Sequence, residues 1–398
     1  MISVEQAQLA IFSDLIAKTE VEYIPLQDAL GRVLAQDQYS TLSVPPADNS
    51  AMDGYAFNVA SLKPECENWL ALSQRVPAGQ APQPLEPNTA ARIFTGGEIP
   101  AGANAVVMQE QCREENGQVC VPGNIASGNN IRRKGQDINT GDCVRQKGQR
   151  LKPQDLGLLA SIGCAEVGVI KKLKIAFLST GDELVEPGDS LAPGQIYNSN
   201  RFTLKGLITS LGFESVDIGL VKDTREDTER ALIKAASLAD CVITSGGVSV
   251  GEEDHVKPAV ESLGALDVWK IAIKPGKPLA FGHVQGTPFF GLPGNPVSVL
   301  VTFAIMVRPY LQALQGQKPE PIRALPLQAN FSSKANPKRQ EYMRVKINAE
   351  GKLDSYRTQS SGALSSTAWA DALAVIPPRC EVKPGDTLNT LLFSDLLN

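Results

Sequence analysis

The sequence predicts an α/β and β multidomain protein, with a central α/β domain around a mostly parallel sheet and β-rich regions before and after it. Three observations carry this. Between residues 174 and 316, apolar strands alternate with helical segments, as βαβ units require. From about 42 to 138, short apolar runs are broken by Pro and Gly. Beyond about 320, apolar and polar residues alternate around turns at "NAEGK" and "KPGD".

At the start, Ser3 and Gln6 have capping-box spacing, and Val4, Ala7, Ile11 and Leu15 repeat at helical spacing, which predicts an amphipathic helix. Asn116-Gly117 between "VVMQEQC" and "VCV" is a hairpin signal in the first β-rich region. In the central region, "KIAFLST", "VDIGLV" and "CVITSGG" read as strands, and "NRFTLKGLITSLG" and "TERALIKAASLA" as helices. Asn295 and Pro296 stand where an N-cap and a first-turn proline belong, opening the helix "VSVLVTFAIMV". "GQKPEPIRALP" then reads as a linker.

Composition bounds the function. A chain of 398 residues is long enough for roughly two to four domains. The longest apolar run, 297–307, ends at Arg308 and is shorter than the ~20 residues of a membrane span. With an acid at position 5 and no apolar signal core, the N-terminus leads us to expect a cytoplasmic protein with no membrane partner. Seven cysteines without a C-x-x-C pair argue against a disulfide framework or structural zinc site. A net charge of −5 gives no basic field for nucleic acid, so any phosphate or oxyanion must be held locally.

Four motifs carry chemistry. "TSGGVSVGEEDH", residues 244–255, follows a strand at the place where open α/β sheets bind ligands. Gly246, Gly247 and Gly251 allow close backbone approach, and Ser245 and Ser249 add hydroxyls. "FLSTGDEL" should reach the same sheet edge. Its Asp182 and Glu183, with Asp254 from the next loop, offer hard oxygen ligands for one Mg²⁺, while Glu252 and Glu253 read as solvated acids at a helix start. In "IKPGKP", Lys274-Pro275-Gly276-Lys277 fits a type II turn that would bring two ammonium groups to one oxyanion. "GLPGNPVS" places Ser298 in a helix's first turn, where free N–H groups favour anions. The run 247–251 also matches G-x-S-x-G, which would make Ser249 a hydrolase nucleophile with Asp267 and His283 completing a triad.

With "DNSAMDGYA", "FTGGEIPAGANAVVMQE" and "NIRRKGQDI", these motifs run in one order from residue 48 to 298, and in that order the chain resembles the MoeA family of molybdopterin molybdenumtransferases, related to the E domain of gephyrin. "EYMRV" and "QSSGALSS" resemble the family's C-terminal positions at Arg344 and Ser361. The resemblance implies four domains: 1–44 with 141–171, an inserted β-rich domain 45–140, a molybdopterin-binding α/β domain 172–318, and a C-terminal β-barrel 319–398. It implies a homodimer that inserts molybdenum from molybdate into adenylated molybdopterin, releasing AMP with magnesium present. An upstream molybdopterin adenylyltransferase and downstream apo-molybdoenzymes are the implied partners.

By position, Thr180, Gly181, Asp182, Glu183 and Asp254 would serve the magnesium-bound phosphates, and the glycine tract, with Pro293 and Asn295, the pterin. Lys274, Lys277, Ser298, Arg344 and Ser361 would hold molybdate. Asp53, Thr95 and Asp137 would reach the site from the partner subunit. His255 stands where the resemblance leads us to expect tyrosine. A serine hydrolase and a non-catalytic pterin-binding scaffold remain the competing readings.

Overall fold

The computed structural model describes residues 1–64, 66–248, 255–318 and 322–397, and three six-stranded sheets organise them. The opening helix is Val4–Phe12. Ser3 Oγ accepts from the Gln6 N–H while Gln6 Oε1 accepts from the Ser3 N–H, so the capping box forms as its spacing predicts. Val4, Ala7 and Ile11 bury in the core of the central sheet with Ile208 and Phe281, whereas Leu15 lies beyond the helix and is only partly buried.

Two pairings join distant segments. Strand Val21–Pro25 pairs with Glu166–Ile170, and Gln38–Tyr39 with Cys143–Arg145, so the chain leaves this region and returns to it. Between these pairings, six strands form a sheet in the order Ala105–Met108, Gly54–Phe57, Thr89–Ile93, Glu67–Val76, Gln118–Pro122, Arg113–Glu115. Its last two strands turn at Asn116 and Gly117 as expected, both at positive φ, but the first arm is Arg113–Glu115 rather than "VVMQEQC", whose Ala105–Met108 part lies at the sheet's other edge.

The central sheet runs Glu214–Val221, Lys174–Thr180, Cys241–Ser245, Thr287–Leu292, Ala280–Val284, Gly264–Trp269. The first four strands are mutually parallel and the last two antiparallel, so the sheet is mixed, with a parallel ligand-bearing half. Helices Ser199–Ser210 and Arg225–Leu238 are the expected crossovers. Below the sheet, Phe281, Phe290 and Tyr310 interlock with ring centroids 4.9–5.4 Å apart.

The apolar helix does not stop at Arg308. Pro296–Thr302, a π-helical turn Phe303–Val307 and Arg308–Leu314 form one run. Pro309 has no N–H to give the preceding turn, and the wider π turn accommodates it where an unbroken α-helix would not. The run is long and apolar enough to cross a membrane, but 83% of it is buried inside the fold. Burial, rather than the shortness expected from the sequence, marks it as a core helix.

The third sheet has the order Ile273–Lys274, Gln340–Ile347, Ala372–Ile376, Thr387–Leu392, Ala324–Gln328, with Leu353–Ser355 also paired to Gln340–Ile347. It curls without a ladder that closes it. Among the described residues a single bridge, Ala329 with Leu353, joins its two ends, so the expected barrel is not established. All seven cysteines carry free thiols.

Candidate active site

Strand register brings the predicted loops to one edge. Ser179 lies beside Ser245, and Ser245 beside Leu292, so the residues that follow each strand emerge together at the carboxyl ends. The Ser179 and Ser245 hydroxyls are 3.0 Å apart. Gly246 and Gly247 have φ of +96° and +65°; a Cβ on the first would lie 2.8 Å from the Thr180 carbonyl oxygen, and on the second 2.4 Å from Val256 Cγ2. The tract therefore requires glycine for both conformation and space. Pro293, Gly294 and Asn295 run alongside, with Gly294 close to Gly246. Ser249, Gly251 and Asp254, with Glu252 and Glu253, lie outside the described residues.

Two buried polar atoms mark this edge as built for something more. Thr180 Oγ1 and Asn200 Oδ1 take no hydrogen bond among the described residues, while Asn200 Nδ2 donates to the Gly294 carbonyl at 2.7 Å. Buried polar groups are ordinarily satisfied, so a ligand is the natural partner here. Asn200 was not singled out by sequence, since an asparagine at the second position of a helix looks like any other surface residue. Asp182 and Glu183 stand exposed at the same edge; Asp182 Oδ1 accepts from the Asp223 N–H at 3.4 Å, and the Glu183 carboxylate folds over Gly181. No group of three His, Cys, Asp or Glu side chains able to hold a metal forms among the described residues.

Lys274 and Lys277 do not flank the turn expected. The Lys274–Pro275 peptide is cis and the stretch is an open bend without a turn hydrogen bond, because Ile273–Lys274 is drawn into parallel pairing with Gln340–Glu341. Lys274 Nζ pairs with Glu341 Oε1 at 2.8 Å; the Glu341 side chain is 7% exposed and that of Lys274 38%. Lys277 is exposed. Gly276, at φ +111°, packs against Thr302 so closely that a Cβ would lie 2.4 Å from Thr302 Cγ2. Thr302 Oγ1 in turn donates to the Ser298 carbonyl at 2.6 Å. The bend is thus pressed onto the first turns of the Pro296–Thr302 helix.

Asn295 is the N-cap residue of that helix, but its side chain makes no capping bond. The Val297 N–H instead donates to the Ser361 carbonyl at 3.1 Å, which ties the C-terminal region to the helix start. Arg344 secures the loop behind Ser361. It is 1% exposed; its Nη2 donates to the Ser360 carbonyl and its Nε to Ser366 Oγ, each at 3.0 Å. Gln359 exchanges two hydrogen bonds with the Arg344 backbone. Burial pushes the guanidinium down to about 10, against the opposing charge of Glu341. With two donors committed to the loop, Arg344 has Nη1 left for a ligand. Glu341, Gln359 and Ser366 escaped sequence reading; a lone acid beside the apolar run in "EYMRV" was the available signal for the first.

Lys274, Ser298, Arg344 and Ser361 are thereby brought together, with Lys277 on the same bend. Asp53, Thr95 and Asp137 are not. Asp53 Oδ1 accepts from the Thr95 N–H at 2.7 Å and the Thr95 hydroxyl at 2.8 Å, and these bonds, aided by Arg92, hold its carboxyl below the ordinary range. Asp137 is exposed and its N–H donates to the Val44 carbonyl. No hydrogen bond or ion pair among the described residues joins these three to the glycine tract. His255, which precedes the Val256–Leu263 helix, gives it no side-chain cap. Of the hydrolase triad, His283 and Asp267 pair at 3.4 Å, and His283 is in register with Pro288, four residues and roughly 13 Å of strand before Leu292; Ser249 lies outside the described residues.

Three family models match the chain in succession: MoeA N-terminal region (domain I and II) over residues 2–163, a probable molybdopterin binding domain over 176–313, and MoeA C-terminal region (domain IV) over 326–393. The chain is similar to the molybdopterin molybdenumtransferase of Haemophilus influenzae, 42% identical across 100% of both chains. It is 36% identical to that of a Nostoc species over 91% of this chain and 86% of the relative. Among solved structures, the molybdopterin biosynthesis MoeA protein of Pyrococcus horikoshii superposes with a TM-score of 0.86 at 29% identity, covering 98% of this chain and 100% of the other. The chain therefore belongs to the MoeA family and has the enzyme activity for which these relatives are named, that of a molybdopterin molybdenumtransferase.

Proposed function

We propose that the enzyme takes adenylated molybdopterin and molybdate, inserts molybdenum into the dithiolene, and releases AMP in a magnesium-dependent reaction. The observation that carries this is the convergence of the 274–277 bend and the Ser361 loop on the first turn of the Pro296–Thr302 helix, beside the glycine tract. Cationic side chains and the hydroxyls of Ser298 and Ser361 suit a tetrahedral oxyanion. Lys274, Lys277, Ser298 and Ser361 would hold molybdate, with Arg344 chiefly keeping the loop in place. Ser245, Gly246 and Gly247, with Ser249 and Gly251, would take the pterin, together with Pro293 and Asn295, and Thr180 and Gly181 the phosphates. Thr180 Oγ1 and Asn200 Oδ1 supply the unused hydrogen-bonding capacity.

Magnesium suits the donor set at this edge. Asp182 and Glu183 are exposed carboxylates, and an ion that keeps most of its water needs only one or two such groups, with Asp254 the third candidate. When bound it would neutralise phosphate oxygens. Asp182 and Glu183 would orient that end of the substrate, while the lysines hold the oxyanion at the other.

The same reading includes a cytoplasmic homodimer in which Asp53, Thr95 and Asp137 serve the partner's site. Its division is 1–44 with 141–171, 45–140, 172–318 and 319–398, the first helix contributing to the third domain's core. An adenylyltransferase would supply the substrate and apo-molybdoenzymes would accept the product. Incubation with adenylated molybdopterin, Mg²⁺ and molybdate tests the reaction: AMP and cofactor that activates an apo-molybdoenzyme are expected, and AMP formed without molybdate dependence would overturn the coupling.

A further inference from the structure

A second site is suggested on the other end of the core helix. A cavity of about 750 Å³ opens where residues 30–31 and 150–153, the Arg308–Leu314 helix and residues 394–395 meet. Arg150, Lys152, Arg308 and Arg323 line it, against one carboxylate among the described residues, Asp395. Ser298 and Arg308 stand ten residues apart on one helical run, roughly 15 Å at 1.5 Å per residue, so this is not the glycine-tract site.

The cations are poorly compensated. Arg308 is 7% exposed; its Nη1 donates to the Asp395 backbone carbonyl at 2.9 Å, and its buried Nε has no partner among the described residues. Among the described residues Arg150 donates only to carbonyls, those of Gly31 and Ser210, each at 3.2 Å. No ion pair takes Arg150, Lys152, Arg308 or Arg323 among the described residues. Burial is the strongest influence against the charge on Arg308; the Asp395 carboxylate favours that charge and the neighbouring Arg150 disfavours it. Desolvated cations that outnumber the carboxylate facing them are costly, and a bound anion offsets that cost.

We propose that this cavity binds a phosphate-bearing small molecule. Guanidinium forks match phosphoryl oxygens in pairs, and three of them around one space favour more than one phosphoryl group. The volume is that of a small-molecule site, and Leu30 and Ile322 offer apolar wall to an organic portion. Because its walls come from chain segments far apart in sequence, an occupant would brace them against one another and stabilise the fold.

Pyrophosphate is the probe, titrated into the whole enzyme by calorimetry. Binding is expected to weaken with salt and to fall about ten- to a hundredfold in Arg323→Gln and in Arg150→Gln, as loss of one charge-assisted contact predicts. Arg323 is exposed, so its variant keeps the test valid if Arg150→Gln is unstable. The double variant Lys274→Ala/Lys277→Ala should bind pyrophosphate here as the parent does. No binding by the parent at millimolar pyrophosphate, or binding that survives both arginine changes, overturns the proposal, as does binding lost only with the lysines. None of these results bears on molybdate-dependent AMP release, which tests the active-site reading separately.

Discussion

Lys274 Nζ sits 2.8 Å from Glu341 Oε1, an ion pair that joins the central domain's bend to the first long strand of the C-terminal sheet. The two lysines of the bend are therefore unequal. One is held by a buried carboxylate; the other, Lys277, is exposed.

Lys274→Ala should accordingly lose stability as well as activity. It leaves Glu341 buried without its cation, which costs about 1–3 kcal/mol. Lys277→Ala should melt like the parent and show a conditional defect, needing roughly ten- to a hundredfold more molybdate while binding adenylated molybdopterin normally. Thermal melts and molybdate titrations of both variants decide it. Equal melting points would refute the asymmetry, and weakened pterin binding without molybdate rescue would remove Lys277 from the oxyanion site.

Glu341 also competes with molybdate for Lys274. Glu341→Gln keeps an acceptor at the same place but removes the competing charge, so half-saturating molybdate should fall about two- to fivefold, the worth of a partly exposed ion pair. Glu341→Ala should not share the gain, since nothing then positions the ammonium. A glutamine variant with unchanged or raised molybdate demand would show that the carboxylate only positions Lys274.

Arg344 acts on the site through the loop it holds. Arg344→Lys cannot reproduce two directed bonds to Ser360 and Ser366 from a compact ammonium. Amide hydrogen exchange should accelerate across 359–362, and half-saturating molybdate should rise about tenfold or more while pterin affinity stays put. Exchange at parental rates alongside lost activity would assign Arg344 to direct contact instead.

Much of this arrangement was legible in the chain. The 3.6-residue spacing of Val4, Ala7 and Ile11 and the Ser3–Gln6 pair gave a true helix start, and the strand–helix alternation gave the sheet edge where three loops meet. These signals are local, so each segment carries its own. The Lys274–Glu341 pair is not local: it depends on parallel pairing between residues 67 positions apart, and the proline and glycine of the bend suggested a turn that this pairing pulls open. The antiparallel strands Gly264–Trp269 and Ala280–Val284 were missed for a related reason, since partner direction is not written in a strand's own residues. Arg308 looked like the end of an apolar run because sequence shows its charge but not the cavity that receives it.

Asp53 should show the effect of its two Thr95 bonds in its titration. Its folded pKa is lowered, so its contribution is fully present above the ordinary aspartate value and is lost as pH falls through the lower folded value. Thr95→Val removes the hydroxyl donor and spares the backbone one, moving the carboxyl part of the way back up. Carboxyl-detected NMR titration reads this directly; an unmoved Asp53 would mean that the backbone N–H alone sets its value.

Asp53 and Lys274 belong to the same reaction in the proposed scheme, yet among the described residues of one chain no hydrogen bond or ion pair links Asp53 to the bend that holds Lys274. A site shared between subunits reconciles the two. Asp53→Ala and Lys274→Ala homodimers should each be nearly inactive, because every site in either lacks one group. In a mixed dimer both lesions fall in the same site, one from each subunit, and the second site is complete. Recombining the two variants should therefore restore activity, up to half of the parental value per mixed dimer. Subunit exchange is verified by mass, with each variant carrying a different tag. Confirmed mixed dimers that stay inactive would place Asp53 outside the partner's site.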